Sequence, residues 1–252
     1  MRKWIVALGA LALMGCSSWS KQEDENKSQY YLQMATAHLE SGNYPFALRD
    51  LQSAEKLNPK NPVIQNNLGL VYFMRERFDL SEVHFKKALD LQQEYSDARN
   101  NLARLYIEVG RYKEAEKEIK MVLDDLTYAN VGKAYINLGL AKFNQKQYEA
   151  ALRSFEKVLE SQSDNCVANT YRGRSIFEMK DYARAAEALD RAIGFCQKEL
   201  YDEPHYYSAL AYYRLGDKSK AIARFEELIK YYPTGKYRNK AKGMLDLIRK
   251  GH

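Results

Sequence analysis

The sequence has few of the residues that mark an enzyme, a disulfide-rich scaffold or a transmembrane protein. Its 252 residues include only 3 cysteines, 4 histidines and 5 prolines. After the first fifteen residues, no apolar run approaches the ~20 residues that are needed to cross a bilayer. No HExxH, GxSxG, P-loop or CxxC motif is present. We therefore predict no catalytic residues, no metal site and no cofactor.

An export signal is present at the start of the chain. Arg2 and Lys3 give a positive charge, and residues 5–14 form an apolar core that is too short for a lasting membrane anchor. The core ends in Leu13-Met14-Gly15-Cys16, which resembles the lipobox of bacterial lipoproteins. The resemblance implies that residues 1–15 are removed and that the thiol of Cys16 is alkylated with diacylglycerol.

The residues after Cys16 bear on the membrane address. Ser17 and Ser18 stand where an aspartate would resemble an inner-membrane retention signal. We therefore expect an outer-membrane lipoprotein that is held by its acyl chains and faces the periplasm. The alternative is a plain secretory signal with an incidental cysteine. Residues 16–27 are mostly polar and aperiodic, and they are expected to form a flexible tether to the lipid.

Positive charge is concentrated at the other end of the chain. The formal net charge is +6, from 39 Lys and Arg against 33 Asp and Glu. Residues 236–252 hold much of the excess, with six basic side chains and one acidic one. We interpret this tail as a solvated helix face, with contact to an acidic partner or to lipid headgroups as the alternative. Nucleic acid is not expected as a partner of an exported protein.

Self-similarity at a fixed spacing predicts the fold. The segment "NNLGLVYFMRERFDLSEVHFKKAL" (Asn66–Leu89) aligns with "NNLARLYIEVGRYKEAEKEIKMVL" (Asn100–Leu123) at an offset of 34 residues. Each unit of this length contains two helical patterns separated by a polar turn. The offset defines six units, with two-residue insertions at 130–131 and 200–201: residues 28–61, 62–95, 96–129, 132–165, 166–199 and 202–235. The sequence therefore predicts an all-α stack of helix-turn-helix units.

Two positions hold small residues in every unit. The eighth is Ala or Gly and the twentieth is Ala or Ser, which lets the two helices of a unit approach closely. This spacing resembles the tetratricopeptide repeat family across residues 28–235, which implies a right-handed superhelical solenoid. Lys142 departs from the aromatic of position eleven, and Arg172 and Ser208 depart from the leucine of position seven. Residues 237–250 are amphipathic and are predicted to cap the stack.

The two remaining cysteines form an even pair in an exported chain. Cys166 begins the first helix of the fifth unit and Cys196 ends its second helix. Antiparallel helices place these ends side by side, which is compatible with the ~4.4–6.8 Å between α-carbons that a disulfide needs. We predict a structural disulfide, and two small buried thiols are the alternative.

The family resemblance also implies a binding groove. In this family the first helices line a groove through positions two, five, nine and twelve. Position nine here includes Arg104 and Arg174, and position twelve is apolar in every unit: Leu39, Phe73, Ile107, Phe143, Phe177 and Tyr213. We predict binding of an amphipathic helix or an extended apolar segment, with the two arginines available for a carboxylate. The alternative is that position twelve is buried between adjacent first helices.

Three local features resemble one family of lipoproteins. They are "RNNLARLYIEVGRYKEAEKEI" (Arg99–Ile119), "DDLTYANVGKAYINLGLAKFNQ" (Asp124–Gln145) and "LIKYYPTGKY" (Leu228–Tyr237). With six repeats and a lipobox, they resemble the pilotins of type IV pili (the PilF, PilW and Tgl type). The resemblance implies a non-enzymatic protein that helps the secretin reach the outer membrane and assemble there. We expect the protein to be a monomer. The alternative is a scaffold lipoprotein for outer-membrane barrel assembly or for peptidoglycan enzymes.

Overall fold

The protein, as a computed structural model, consists of helices joined by short turns. The backbone is described for residues 3–197 and 201–250, and side chains for residues 21–197 and 201–250. The predicted signal peptide and the lipidation site Cys16 lie outside the described side chains. Within the described ranges no helix is both long and apolar enough to span a membrane. The helices are α1 (Lys3–Glu40), α2 (Tyr44–Leu57), α3 (Pro62–Met74), α4 (Phe78–Leu91), α5 (Ser96–Glu108), α6 (Tyr112–Asp124), α7 (Val131–Asn144), α8 (Tyr148–Leu159), α9 (Cys166–Glu178), α10 (Tyr182–Cys196), α11 (Glu203–Arg214), α12 (Lys218–Tyr231) and α13 (Arg238–Arg249).

The helices form two compact units, residues 1–109 and residues 110–252. In the first unit, each helix from α1 to α5 packs on the next one, and α3 also contacts both α1 and α5. In the second unit, each helix from α6 to α13 packs on the next one, and α9 also contacts both α7 and α11. Contacts between successive helices and between alternate helices are typical of stacked hairpins. The predicted all-α solenoid of helix-turn-helix repeats is therefore confirmed.

The turn inside each repeat contains one residue in the left-handed backbone region. Three of these residues are glycines, which adopt positive φ without strain, and three carry long charged side chains. The turn closes in the same way in both cases, since the next residue donates its N–H to a carbonyl in the last turn of the helix, as Asn43 does to His38 at 2.8 Å and Gln147 to Lys142 at 2.9 Å. All six occupy position fifteen of the repeat: Gly42, Glu76, Gly110, Lys146, Lys180 and Gly216.

The small residues at positions eight and twenty bring the paired helices into close contact, as predicted. A Cβ atom added to Gly69 would lie 2.5 Å from the ring of Phe85, and one added to Gly139 would lie 2.6 Å from the ring of Phe155. Ser81 is fully buried and donates its hydroxyl to the carbonyl of Gly69 at 2.8 Å. The large residues at position twenty-four fill the core in every repeat: Leu51, Phe85, Ile119, Phe155, Leu189 and Phe225.

Two of the three polar departures from the repeat pattern form polar pairs within the chain. Lys142 donates to Glu116 Oε2 at 2.6 Å, so the position that usually holds an aromatic ring holds an ion pair. Ser208 is fully buried and donates to Asp190 Oδ1 at 2.6 Å. Arg172 is half-buried, and burial lowers the pKa of its guanidinium below the usual value. The repeat therefore accommodates Lys142 and Ser208 through pairing with nearby carboxylates.

The first helix begins before the first repeat. Residues 21–27 continue α1 and do not form a flexible tether. Glu23 pairs with Lys27 at 2.7 Å, and Gln22 donates to Asn26 at 3.2 Å. Pairs at this spacing support a helix even where no apolar face is present. The prediction of a tether is therefore wrong for residues 21–27, and the rest of that segment lies outside the described side chains.

Helix α13 caps the second unit. Its buried residues Ala241, Leu245 and Ile248 pack into a cluster with Phe225 and Leu228 of α12. Half-buried Met244 packs against the same cluster. Helix α13 thereby covers the apolar face of the last repeat, which is the role of a terminal helix in a solenoid.

Cys166 and Cys196 are joined as a disulfide in the second unit. Their α-carbons lie 4.9 Å apart and their sulfur atoms 2.10 Å apart. Both residues are buried, at the beginning of α9 and at the end of α10. The bond therefore ties together the open end of one helical hairpin.

Replacing both cysteines by alanine is expected to lower the free energy of unfolding by about 3 kcal/mol. The reason is that a cross-link over 30 residues restricts the unfolded chain. Urea unfolding of the wild type and of Cys166→Ala/Cys196→Ala measures the effect. Wild type unfolded in a reducing agent is the control and should match the variant. Alkylation of both residues in denaturant without reductant would show that the disulfide is absent.

Candidate functional site

An open groove lies between the first helices of the first two repeats. It encloses about 400 Å³ and is lined by Gln29, Leu32, Gln33, Thr36, Ala37, Glu40 and Val63. The lining from α1 includes positions two, five and nine of the repeat, which are three of the four positions that the family resemblance assigns to a groove. Val63 is 38% exposed at position two of the next repeat. The groove therefore presents both apolar and polar side chains to a partner.

Position twelve, the fourth position predicted to line the groove, is buried or half-buried in every repeat. Ile107 and Phe143 are each 8% exposed. The ring of Phe143 packs against Tyr148 at 5.4 Å and against Tyr171 at 5.3 Å between ring centroids. Because Tyr171 belongs to α9, the contact between adjacent first helices causes this burial. Phe143 is therefore buried between adjacent first helices, as the alternative states. Ile107 is also buried, while the other four are half-buried: Leu39, Phe73, Phe177 and Tyr213.

Phe73 and Arg104 form a contact at the surface of the first unit. The guanidinium carbon of Arg104 lies 4.7 Å from the centroid of the Phe73 ring. Phe78 packs on the same ring, with centroids 5.8 Å apart. A cation–π contact at an exposed site contributes about 0.5–1 kcal/mol, so it orients the arginine without fixing it. Arg104 is exposed on α5, and its guanidinium is therefore accessible to a carboxylate of a partner.

Arg174, in contrast, is used inside the second unit. Its side chain is 13% exposed, and its guanidinium nitrogen lies 2.5 Å from Glu203 Oε1. The guanidinium carbon also lies 4.4–4.8 Å from the ring centroids of Phe143, Tyr171 and Tyr207. Burial alone would lower the pKa of Arg174, but Glu203 raises it above the usual value. The prediction that Arg174 is available to a partner's carboxylate is therefore wrong.

Glu203 is the centre of a buried cluster that we did not predict from the sequence. It is 3% exposed and accepts hydrogen bonds from the hydroxyl groups of Tyr201 and Tyr237, the latter at 3.1 Å. Burial, together with the carboxylate of Glu203, raises the pKa of both tyrosines. The neighbouring Asp202 accepts the backbone N–H of Tyr237 at 2.7 Å. The cluster therefore links α9, α11 and the segment that leads into α13, and has a structural role.

A polar network in the first unit is also structural. Gln65 is fully buried and donates to Glu55 Oε1 at 2.8 Å, while its carbonyl oxygen lies 2.8 Å from His84 Nδ1. Burial lowers the pKa of His84, which keeps the ring neutral near pH 7. Burial alone would raise the pKa of Glu55, but hydrogen bonds from Gln65 and Lys87 lower it. The network joins α2, α3 and α4.

A cavity of about 440 Å³ lies in the second unit, but its charges are compensated within the chain. It is lined by Ile193, Gln197, His205, Arg224, Glu227, Tyr231 and Tyr232. Arg224 pairs with Glu227 at 2.7 Å, and burial lowers the pKa of His205 to about 4, so the imidazole is neutral. Across the described side chains, no group of three or more His, Cys, Asp and Glu residues is arranged to hold a metal ion.

Comparison with known families places repeats along most of the chain. Models described as tetratricopeptide or TPR repeats match residues 35–75, 62–127, 132–165 and 205–235. Together these ranges cover more than half of the 252 residues. The chain belongs to the tetratricopeptide repeat family, whose members are built from helical hairpins of this kind.

The chain is similar to particular proteins of that family. It is 23% identical over 197 residues to the type IV pilus assembly protein PilF of Pseudomonas aeruginosa, covering 75% of this chain and 78% of PilF. A solved structure from the functional characterization of Pseudomonas aeruginosa PilF has a TM-score of 0.74 at 19% identity, covering 88% of this chain and 99% of that one. The crystal structure of PilW, a widely conserved type IV pilus biogenesis factor, has a TM-score of 0.78 at 19% identity, covering 84% and 97%. The structural likenesses establish a common fold.

Proposed function

We propose that this protein is the pilotin of a type IV pilus: an outer-membrane lipoprotein that binds the secretin and promotes its localisation and multimerisation. The observation that carries the proposal is the sequence similarity to PilF, a type IV pilus assembly protein, over 75% of this chain and 78% of PilF. The export signal and the lipobox at Cys16 support an outer-membrane address. The repeats support a role in binding polypeptides rather than in catalysis.

The mechanism we propose is the presentation of a binding surface at a membrane. Two or three acyl chains on Cys16, each contributing ~0.8 kcal/mol per buried methylene, hold the protein at the bilayer. Confinement there raises the effective concentration of the repeats near secretin subunits. Bound repeats then cover apolar secretin surface that would otherwise aggregate before the ring closes.

The first unit offers the better surface for the secretin. Its groove contains the exposed side chain of Val63, and the exposed Arg104 stacks on Phe73. Apolar residues beside an accessible guanidinium suit an apolar segment that carries a carboxylate, either as an amphipathic helix or as an extended chain. Of the three residues at position twelve in this unit, Phe73 is the one we assign to secretin binding, since Ile107 is buried and Leu39 packs on the core.

Val63→Glu is expected to weaken secretin binding at least tenfold and to lower the fraction of secretin in multimers. A charge at this apolar position of the groove must be desolvated when the partner binds. The affinity is measured by titration with purified secretin fragments, and the multimers by electrophoresis of outer-membrane fractions. Val83→Glu is the matched control, because Val83 is also exposed (59%) but lies on the second helix α4.

Two results would contradict this proposal at different levels. If deletion of the protein leaves secretin multimers in the outer membrane at normal levels, the pilotin assignment is wrong. If Val63→Glu folds with a wild-type circular dichroism spectrum and binds secretin as tightly as Val83→Glu does, the groove is not the binding surface. A pull-down that retrieves barrel-assembly proteins or peptidoglycan enzymes in place of the secretin would support the scaffold alternative.

A further inference from the structure

A second surface of the chain is strongly basic. The proposed secretin site, which lies in the first unit, does not include it. Residues 230–250 contain seven Lys and Arg residues, and Asp246 is the single acidic residue among them. We call these seven residues the basic face: Lys230, Lys236, Arg238, Lys240, Lys242, Arg249 and Lys250. They lie at the end of α12, in the following turn and along α13. A density of positive charge this high attracts a multivalent anion.

Packing of α13 directs most of its charged side chains outward, while Arg238 at its start is half-buried. Ala241, Leu245 and Ile248 are buried against the last repeat, which fixes the opposite side of the helix in solvent. Lys240 and Lys250 are exposed on that opposite side. Leu247 is 48% exposed, and its spacing of seven residues from Lys240 and three from Lys250 places all three on one side. The exposed side of α13 is therefore both cationic and partly apolar.

Arg249 is paired with Glu226 at 2.6 Å, but three of the other charges contact aromatic rings instead of carboxylates. The ammonium nitrogens of Lys236 and Lys240 lie 5.6 and 5.4 Å from the centroid of the Tyr237 ring. Lys230 lies 5.1 Å from the centroid of the Tyr231 ring, which is itself 58% exposed. A ring does not neutralise an ammonium group, so the positive potential of the face persists.

We propose that the basic face binds the surface of a membrane that contains anionic phospholipids. Lysine chains reach phosphate groups from a flat surface by extending their long stems, and exposed Tyr and Leu side chains enter the interface between headgroups and acyl chains. Tyr231 is exposed in contact with Lys230, and Leu247 is exposed on the same side of α13 as Lys240 and Lys250. An acidic polypeptide is favoured instead by arginine forks converging on a groove, whereas four of the five basic residues that precede Arg249 are lysines.

Vesicle binding by the full chain tests this proposal. Cys16→Ser is included in every sample, so that no acyl chain contributes. We expect binding to vesicles of phosphatidylglycerol and phosphatidylethanolamine at low salt, weakening as salt is added, and much weaker binding to pure phosphatidylcholine. Lys236→Gln/Lys240→Gln/Lys250→Gln is expected to lower the partition coefficient on anionic vesicles about a hundredfold, since each lysine near a membrane contributes about a fivefold factor.

A matched variant separates the basic face from net charge. Lys113→Gln/Lys117→Gln/Lys120→Gln removes three exposed lysines from α6 of the same unit and should retain most of the binding. The proposal is overturned if both triple variants lose binding equally or if phosphatidylcholine binds as well as the anionic vesicles. It is also overturned if the three lysines of the first variant are needed for binding soluble polyglutamate but not for binding vesicles. Secretin multimers are not measured here, so this proposal and the pilotin assignment fail separately.

Discussion

Glu203→Ala is expected to lower the free energy of unfolding by about 3–5 kcal/mol. The substitution leaves the guanidinium of Arg174, which is 13% exposed, among three aromatic rings without its carboxylate partner. Removing one member of a buried ion pair costs this much because the remaining charge stays desolvated. The hydroxyl groups of Tyr201 and Tyr237 lose an acceptor at the same time. The last repeat and the capping helix are therefore expected to loosen together.

An exposed ion pair in the same unit provides the control. Glu226 pairs with Arg249 at 2.6 Å, but both side chains are more than half exposed, so Glu226→Ala should cost no more than about 1 kcal/mol. Urea unfolding followed by circular dichroism compares the two variants. Replacing both partners, as Arg174→Met/Glu203→Leu, should recover part of the loss, because no charge then remains buried. Equal effects of Glu203→Ala and Glu226→Ala would show that the buried cluster contributes no more than a surface pair.

The fold could be predicted from the sequence because its determinants are local and repeated. A spacing of 34 residues and small residues at two positions are sufficient to define paired helices and their close approach. The turn at position fifteen is less evident in the sequence, since Glu76, Lys146 and Lys180 adopt the conformation that glycine favours. In these three turns the packing of both helices imposes a conformation that the residue itself disfavours.

The candidate site could be predicted only in part. A repeat alignment shows on which face of its helix a residue lies, but not how deeply its side chain is buried. Position twelve faces the neighbouring first helix. Phe143 is buried there because the ring of Tyr171 packs against it. The role of Arg174 depends on Glu203, which lies 29 residues away and just after the two-residue insertion. An insertion followed by two adjacent acidic residues, Asp202 and Glu203, was the available signal, but it does not specify a partner.

The same limit applies to the first helix. The periodicity of the repeats begins near residue 28, and the preceding polar segment has no apolar face from which a helix could be predicted. The helix nevertheless extends through residues 21–27. The repeat part of α1 already provides the first helical turn, whose formation costs free energy, and side-chain pairs add small amounts of stability.

Phe155→Ala is expected to lower the free energy of unfolding by about 3–5 kcal/mol, because it removes a fully buried ring from the fourth repeat. The ring lies over Gly139 and packs on Tyr171, with centroids 5.5 Å apart. The surrounding helices are held by their neighbours and are not expected to close the cavity. Urea unfolding measures the loss, and a cost below about 1 kcal/mol would show that this core position is loosely packed.

Substitution of Gly139 tests whether the stability of this core depends on the close approach of the two helices. Gly139→Ala should cost about 1–3 kcal/mol, since its Cβ would lie 2.6 Å from the ring of Phe155. Gly139→Ala/Phe155→Leu reproduces the alanine and leucine that the first repeat has at the same positions, Ala35 and Leu51. We expect the loss of stability in the double variant to be smaller than the sum of the losses in Gly139→Ala and Phe155→Leu, by at least about 0.5 kcal/mol. Additive losses would mean that the glycine and the ring do not constrain each other, and that the small residues at position eight are not required for helix contact.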